Sequence, residues 1–214
     1  MKHALIVWGG WHGHEPEQCA HIVRDMLLRN AYNVRIETLT SAFADPELAL
    51  LDLIVPIYTM SRLEKEESAN LSAVVRDGVG LAGFHGGMCD AFRESVEYQF
   101  MTGGQWVAHP GGVIDFRINI SKPQDPVVAG LSDFDYHSEQ YYMHVDPSNS
   151  VLATTVFDGS IHSWIEGTVM PVVWTRKWGE GRVFYSALGH APEEFDVPEM
   201  CEITRRGLLW AARS

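Results

Sequence analysis

The sequence predicts an α/β fold, a three-layer sandwich whose mostly parallel sheet carries a mixed extension. Two observations carry this expectation. In the first half, short apolar runs alternate with segments whose apolar residues recur at helical spacing, as strands buried on both faces do when crossover helices join them. In the second half, strand-like runs follow one another with little helix between them, so antiparallel or mixed pairing is expected there. A length of 214 residues suits one such domain, 1–214, and no repeat, linker or low-complexity tract divides it.

The elements follow in order. His3 to Trp8 is a nearly continuous apolar run and predicts the first strand; after the loop Gly9 to Glu15, Cys19, Val23, Met26 and Leu27 predict a helix that stops near Asn30. Asn33 to Thr38 and Leu51 to Ile57 predict two more strands, Leu63 to Arg76 a helix, and Val79 to Phe84 a strand that runs into a glycine-rich turn. The extension is expected from Val113 to Ile120, Val151 to Val156, Val172 to Arg176 and Arg182 to Ser186. A closing helix is expected after an acidic cap at Asp196, with Glu199 three residues on, leading into Met200, Ile203, Gly207 and Trp210.

Composition excludes some classes of function. The formal charge of −12 sets the overall field against phosphate backbones and anionic membranes, so neither nucleic acid nor a membrane surface is expected as a partner. The apolar start is too short for a signal peptide or a membrane span. Cys19, Cys89 and Cys201 are odd in number and widely spaced, which suits reduced thiols, and a cytoplasmic location is expected.

The stretch Gly83-Phe84-His85-Gly86-Gly87 reads as a strand entering a sharp turn with one exposed side chain at its apex, the arrangement of a nucleophile elbow with histidine in place of Ser or Cys. Together with Met88-Cys89-Asp90-Ala91-Phe92, Glu97-Tyr98-Gln99-Phe100 and Gly103-Gly104-Gln105-Trp106-Val107-Ala108-His109-Pro110-Gly111-Gly112, it resembles the ThuA-like family, named for trehalose utilisation. That resemblance implies a flavodoxin-like, class I glutamine amidotransferase-like fold and a role in using trehalose or related disaccharides and keto-sugars. It puts His85 where an amidotransferase has its attacking Cys, so glutaminase activity is not expected. Gly189-His190-Ala191-Pro192-Glu193 resembles the segment that supplies the amidotransferase base and its carboxylate, with one residue inserted, which implies a role for His190 and shifts Glu193 and Glu194 out of the family's spacing. His137-Ser138-Glu139-Gln140-Tyr141-Tyr142 resembles a further family motif and draws attention to Glu139.

Ligands of open α/β sheets bind beyond the carboxyl ends of the strands. His85, His190 and Glu139 are accordingly the candidate catalytic residues, the histidines for proton transfer and Glu139 in support. The structural alternatives are a His85 that only braces its turn and a Glu139 that only braces a loop. Trp11, His12, His14, Tyr58, Gly86, Gly87, Gln105, Trp106, His109 and Tyr141 are candidates for substrate binding: aromatic faces suit sugar rings, and the Gly86 and Gly87 N–H groups suit a developing oxyanion. No HExxH or Cys/His zinc spacing occurs, yet a site assembled from separate loops, for instance His14, His85, His109 and His190 with Glu139, could hold zinc or a similar divalent metal, with His14 and His109 the metal candidates. Cys89 is expected to be packed rather than reactive. The leading expectation is an enzyme acting on a small-molecule sugar; the alternatives are a non-catalytic sugar-binding or regulatory protein and a metal-dependent hydrolase. A homo-oligomer is compatible with the sequence.

Overall fold

The computed structural model describes residues 1–214. Strand β1 spans Lys2–Gly10, and its centre, Ala4 to Val7, is buried on both faces as its apolar run requires. Helix α1, Pro16–Arg29, opens on a proline, which suits the first turn of a helix, and buries Cys19, Ala20, Val23, Met26 and Leu27. Strands β2 (Tyr32–Glu37) and β3 (Leu53–Thr59) flank β1, joined by two 3-10 turns. Helix α2, Lys65–Arg76, is capped by the Glu67 carboxylate, which accepts from the Glu64 backbone N–H at 2.8 Å. Strand β4, Gly80–Phe84, runs directly into the one-turn helix α3, His85–Cys89.

The second half is richer in short elements than the sequence pattern indicates. Helix α4 (Val96–Thr102) and strand β5 (Gly104–Ala108) precede β6 (Val113–Ile120), and β7 (Phe134–Glu139) and β8 (Tyr142–Val145) precede β9 (Ser150–Val156). Strands β10 (Val169–Trp178) and β11 (Gly181–Ser186) then form an antiparallel pair, and helix α5 (Pro198–Ala211) closes the chain. The cap expected at Asp196 is not there: the residue preceding α5 is Val197, whose side chain makes no capping bond, and Asp196 belongs to the 3-10 turn Pro192–Asp196. Pro198 at the first helical position starts the helix instead.

The main sheet has nine strands in the order β2-β1-β3-β4-β11-β10-β9-β6-β7. Pairing is parallel from β2 to β11 and antiparallel from β11 onward, which produces the mixed extension. The parallel half has the flavodoxin-like order, so loops after β1, β3, β4 and β11 gather at one edge. Helix α1 packs on β1, β2 and β3 and helix α5 on β4 and β11, while α2 and α4 pack against each other. Helix α5 comes very close to the sheet, since a Cβ on Gly207 would lie 2.2 Å from the Phe184 ring. The strands β5 and β8 form a separate two-stranded sheet that carries Trp106 opposite Met143. No helix is long and apolar enough to cross a membrane.

Candidate functional site

His85 stands at the apex of the elbow with φ +46°, a left-handed conformation rare for a side-chain-bearing residue and typical of functional sites that tolerate strain. The turn is held from several directions. The Tyr185 hydroxyl donates to the His85 carbonyl at 3.1 Å, and the ring of Tyr141 stacks on the imidazole with centroids 4.0 Å apart. Gly86 lets the loop after β1 come close, for a Cβ there would lie 2.6 Å from the His14 ring. His85 is 1% exposed, so its imidazole is a buried group at the floor of the site.

The buried imidazole has a defined tautomer. Its Nδ1 lies 2.9 Å from the Ala187 carbonyl, which can only accept, so Nδ1 carries a proton and Nε2 points the other way. There Nε2 meets the Glu139 carboxylate at 3.2 Å and His190 Nδ1 at 3.3 Å, and His190 Nδ1 is itself 3.4 Å from the same Glu139 oxygen. His14 completes the group, its Nδ1 2.9 Å from the Thr59 hydroxyl. One ligand atom from each of His14, His85, Glu139 and His190 falls within 4.8 Å of the others. Burial alone would raise the Glu139 carboxyl, but the hydrogen bond from His190 leads the effects that outweigh it and hold the group well below the usual carboxylate range. The bond to Glu139 raises His190. His14 is pushed down to about 3 by burial and by the neighbouring His85 and His190, and is therefore neutral.

Above this cluster lies a cavity of about 410 Å³ lined by Trp11, His14, Met60, Asp90, Arg93, Trp106, His109, Glu139 and Tyr141. Glu139, the last residue of β7, is its carboxylate floor, and His109 Nε2 stands 3.7 Å from the second Glu139 oxygen. Of the residues anticipated for substrate, Trp11, His14, Trp106, His109 and Tyr141 line the cavity. His12 is exposed outside it, and Tyr58 donates its hydroxyl to the Thr38 carbonyl. Gln105 faces a small crevice beside Met88 and Cys89, and Gly86 and Gly87 pack behind the elbow against His14 and Ile57. His14 lies in the metal-sized cluster, whereas His109 lies beside it. Sequence reading missed Asp90 and Arg93. The Arg93 guanidinium binds the Asp90 carboxylate through two nitrogens and lies 4.8 Å from the centre of the Trp106 ring; the Asp-x-x-Arg spacing just past the elbow is the signal that could have revealed it.

The trehalose-utilisation family profile, ThuA, matches residues 3–211. The chain belongs to the ThuA family. No curated protein matches the sequence. Solved structures share the fold at low identity: a ThuA-like protein from Bacteroides uniformis ATCC 8492 has a TM-score of 0.81 at 18% identity, covering 98% of this chain and 91% of its own. A ThuA-like protein from Parabacteroides merdae ATCC 43184 has a TM-score of 0.78 at 19% identity, with 98% and 89% covered. A β-galactosidase from Bacillus circulans sp. alkalophilus has a TM-score of 0.60 at 14% identity, and the similarity spans 97% of this chain but 30% of that one.

This ThuA-family chain has no thiol at the elbow apex. Cys89 ends α3, four residues beyond His85, fully enclosed, and burial pushes its thiol far above the usual range. Glu194 is not the partner of the His190 imidazole. Its carboxylate accepts from the backbone N–H groups of Gly189 at 3.1 Å and His190 at 2.9 Å and from the Tyr136 hydroxyl, so it fixes the loop, while Glu139 from the extension takes the place beside the ring. Incubation with glutamine should therefore release no ammonia at an enzymatic rate. Release that Cys89→Ser abolished would refute this account of the elbow.

Proposed function

We propose that this ThuA-family protein binds a sugar or an oxidised sugar derivative in the cavity above Glu139 and acts on it there. One observation carries the reading: a buried carboxylate, backed by His85 and His190, forms the floor of a cavity walled by Trp11, Trp106 and Tyr141. Flat aromatic walls cover the apolar faces of a sugar ring, and the carboxylate, His109 and the Asp90–Arg93 pair offer both acceptors and donors to its hydroxyls. His109 is the group placed to exchange protons with a ligand, while Glu139, held ionised by the imidazoles beneath it, accepts hydrogen bonds from the ligand. The family's description as trehalose utilisation points to the same substrate class. Free, widely spaced cysteines support a cytoplasmic location, and a structure of the same fold comes from a cytoplasmic protein of Salmonella typhimurium LT2.

The test is a calorimetric and thermal-shift panel of trehalose, other disaccharides and their keto derivatives. At least one should bind, and Trp106→Ala should weaken it about tenfold, the loss of one stacking aromatic. If no sugar or keto-sugar binds, the reading is wrong.

A further inference from the structure

The three atoms at the floor of the site form a nearly equilateral triangle. His85 Nε2 to Glu139 Oε2 is 3.2 Å, His85 Nε2 to His190 Nδ1 is 3.3 Å, and His190 Nδ1 to Glu139 Oε2 is 3.4 Å. A tetrahedral ion with bonds of about 2.0–2.1 Å sets its ligands about 3.3–3.4 Å apart. We propose that these three atoms are the ligands of one divalent cation of the zinc class, with a fourth coordination position open toward the cavity. This deepens the sugar-site reading, on which it rests for what occupies that fourth position.

Three further features fit the assignment. The first is the tautomer of His85: with Nδ1–H given to the Ala187 carbonyl, the Nε2 of a neutral ring is a lone pair 3.2 Å from a carboxylate oxygen, an acceptor facing an acceptor, and a cation between them satisfies both. The second is the support behind each ligand, which a metal site requires to keep its geometry. Ala187 orients His85, the Glu194 carboxylate fixes the backbone of His190, and Thr59 orients His14, which remains close enough to meet an oxygen bound in the fourth position. The third is the donor chemistry: two imidazoles and one carboxylate suit zinc and its neighbours rather than calcium or magnesium, and three protein ligands with an open fourth place are the catalytic rather than the structural pattern. A sugar hydroxyl, a keto oxygen or water can fill that place, and the ion would polarise it.

The experiment uses the full chain, stripped with a chelator and titrated with Co²⁺ and Zn²⁺. One ion per chain should bind, and Co²⁺ should give the intense visible band of a low-coordinate N/O site. Glu139→Gln, close in shape to the native residue, and His190→Ala, on a part-exposed side chain, should each weaken binding by about a hundredfold or more, and circular dichroism should show both folded. His137→Ala, an exposed histidine paired with Asp115, should bind as the parent does. A parent chain that takes up no stoichiometric ion, or folded Glu139→Gln and His190→Ala proteins that bind as tightly as the parent, would overturn the assignment. Sugar binding is measured in parallel on stripped and loaded protein. Sugar binding without ion uptake sinks the cation alone; ion uptake with no sugar binding sinks the sugar reading alone.

Discussion

His85→Asn should leave the protein folded and remove its function. Asparagine is one of the few residues that accept a left-handed backbone, so it suits φ +46°, and its amide N–H₂ can still reach toward the Ala187 carbonyl. What it cannot supply is Nε2, the atom that faces Glu139 and His190. Stability should fall by about 1 kcal/mol at most, the worth of one neutral hydrogen bond. Turnover of the sugar found in the binding panel should fall by about a hundredfold or more. His85→Val gives the contrast, since a β-branched residue at this φ should cost about 1–3 kcal/mol in strain alone. Melting curves and activity must come from the same preparations. An Asn variant that melts early yet keeps full turnover would reduce His85 to a turn-bracing residue.

Glu194→Ala should produce the largest loss of stability among the site residues. The Glu194 carboxylate is buried and accepts three hydrogen bonds, from Gly189, His190 and Tyr136. Removing it leaves the His190 backbone N–H and the buried Tyr136 O–H without an acceptor, while the Gly189 N–H keeps its 3.3 Å bond to the Tyr136 oxygen, at a cost of about 2 kcal/mol or more. The loop that carries His190 should loosen with it, so sugar affinity should fall along with the urea midpoint. Glu193→Ala, one residue earlier on an exposed side chain, should change neither. Equal urea midpoints for the two variants would show that Glu194 does not hold this loop.

The strands around the site were legible because burial on both faces leaves a continuous apolar run, as in Ala4 to Val7 and Leu53 to Ile57. The elbow was legible because its glycines cannot be replaced without collision, and a turn that tight leaves a mark in sequence. The short strands β5 and β8 were not, because their pairing joins segments far apart in the chain and neither is long enough to show a period. Strand β7 does alternate, with Phe134, Tyr136 and Ser138 buried and Asp135 and His137 exposed, but the aromatic motif at its end drew attention to Glu139 rather than to the strand that delivers it. Glu139 could be named as a candidate from sequence. That it, and not Glu193 or Glu194, would sit beside His190 depends on how the extension packs over the elbow, and no local pattern encodes that.

The position of β11 also governs the order of assembly. This strand is made late, after the whole extension, yet it sits in the middle of the sheet between β4 and β10, with Leu81 paired to Val183. A nascent chain that has produced the elbow therefore presents β4 with one bare, apolar edge until Gly181–Ser186 leaves the ribosome, and pairing across so long a span is slow to form. His85 meets Ala187 and His190 only when that strand docks, so the elbow stays without its partners through most of synthesis. Completing the sheet and assembling the site are therefore structurally coupled, and a chain cut short before β11 should lack the site altogether and expose the β4 edge rather than behave as a weakened version of the protein.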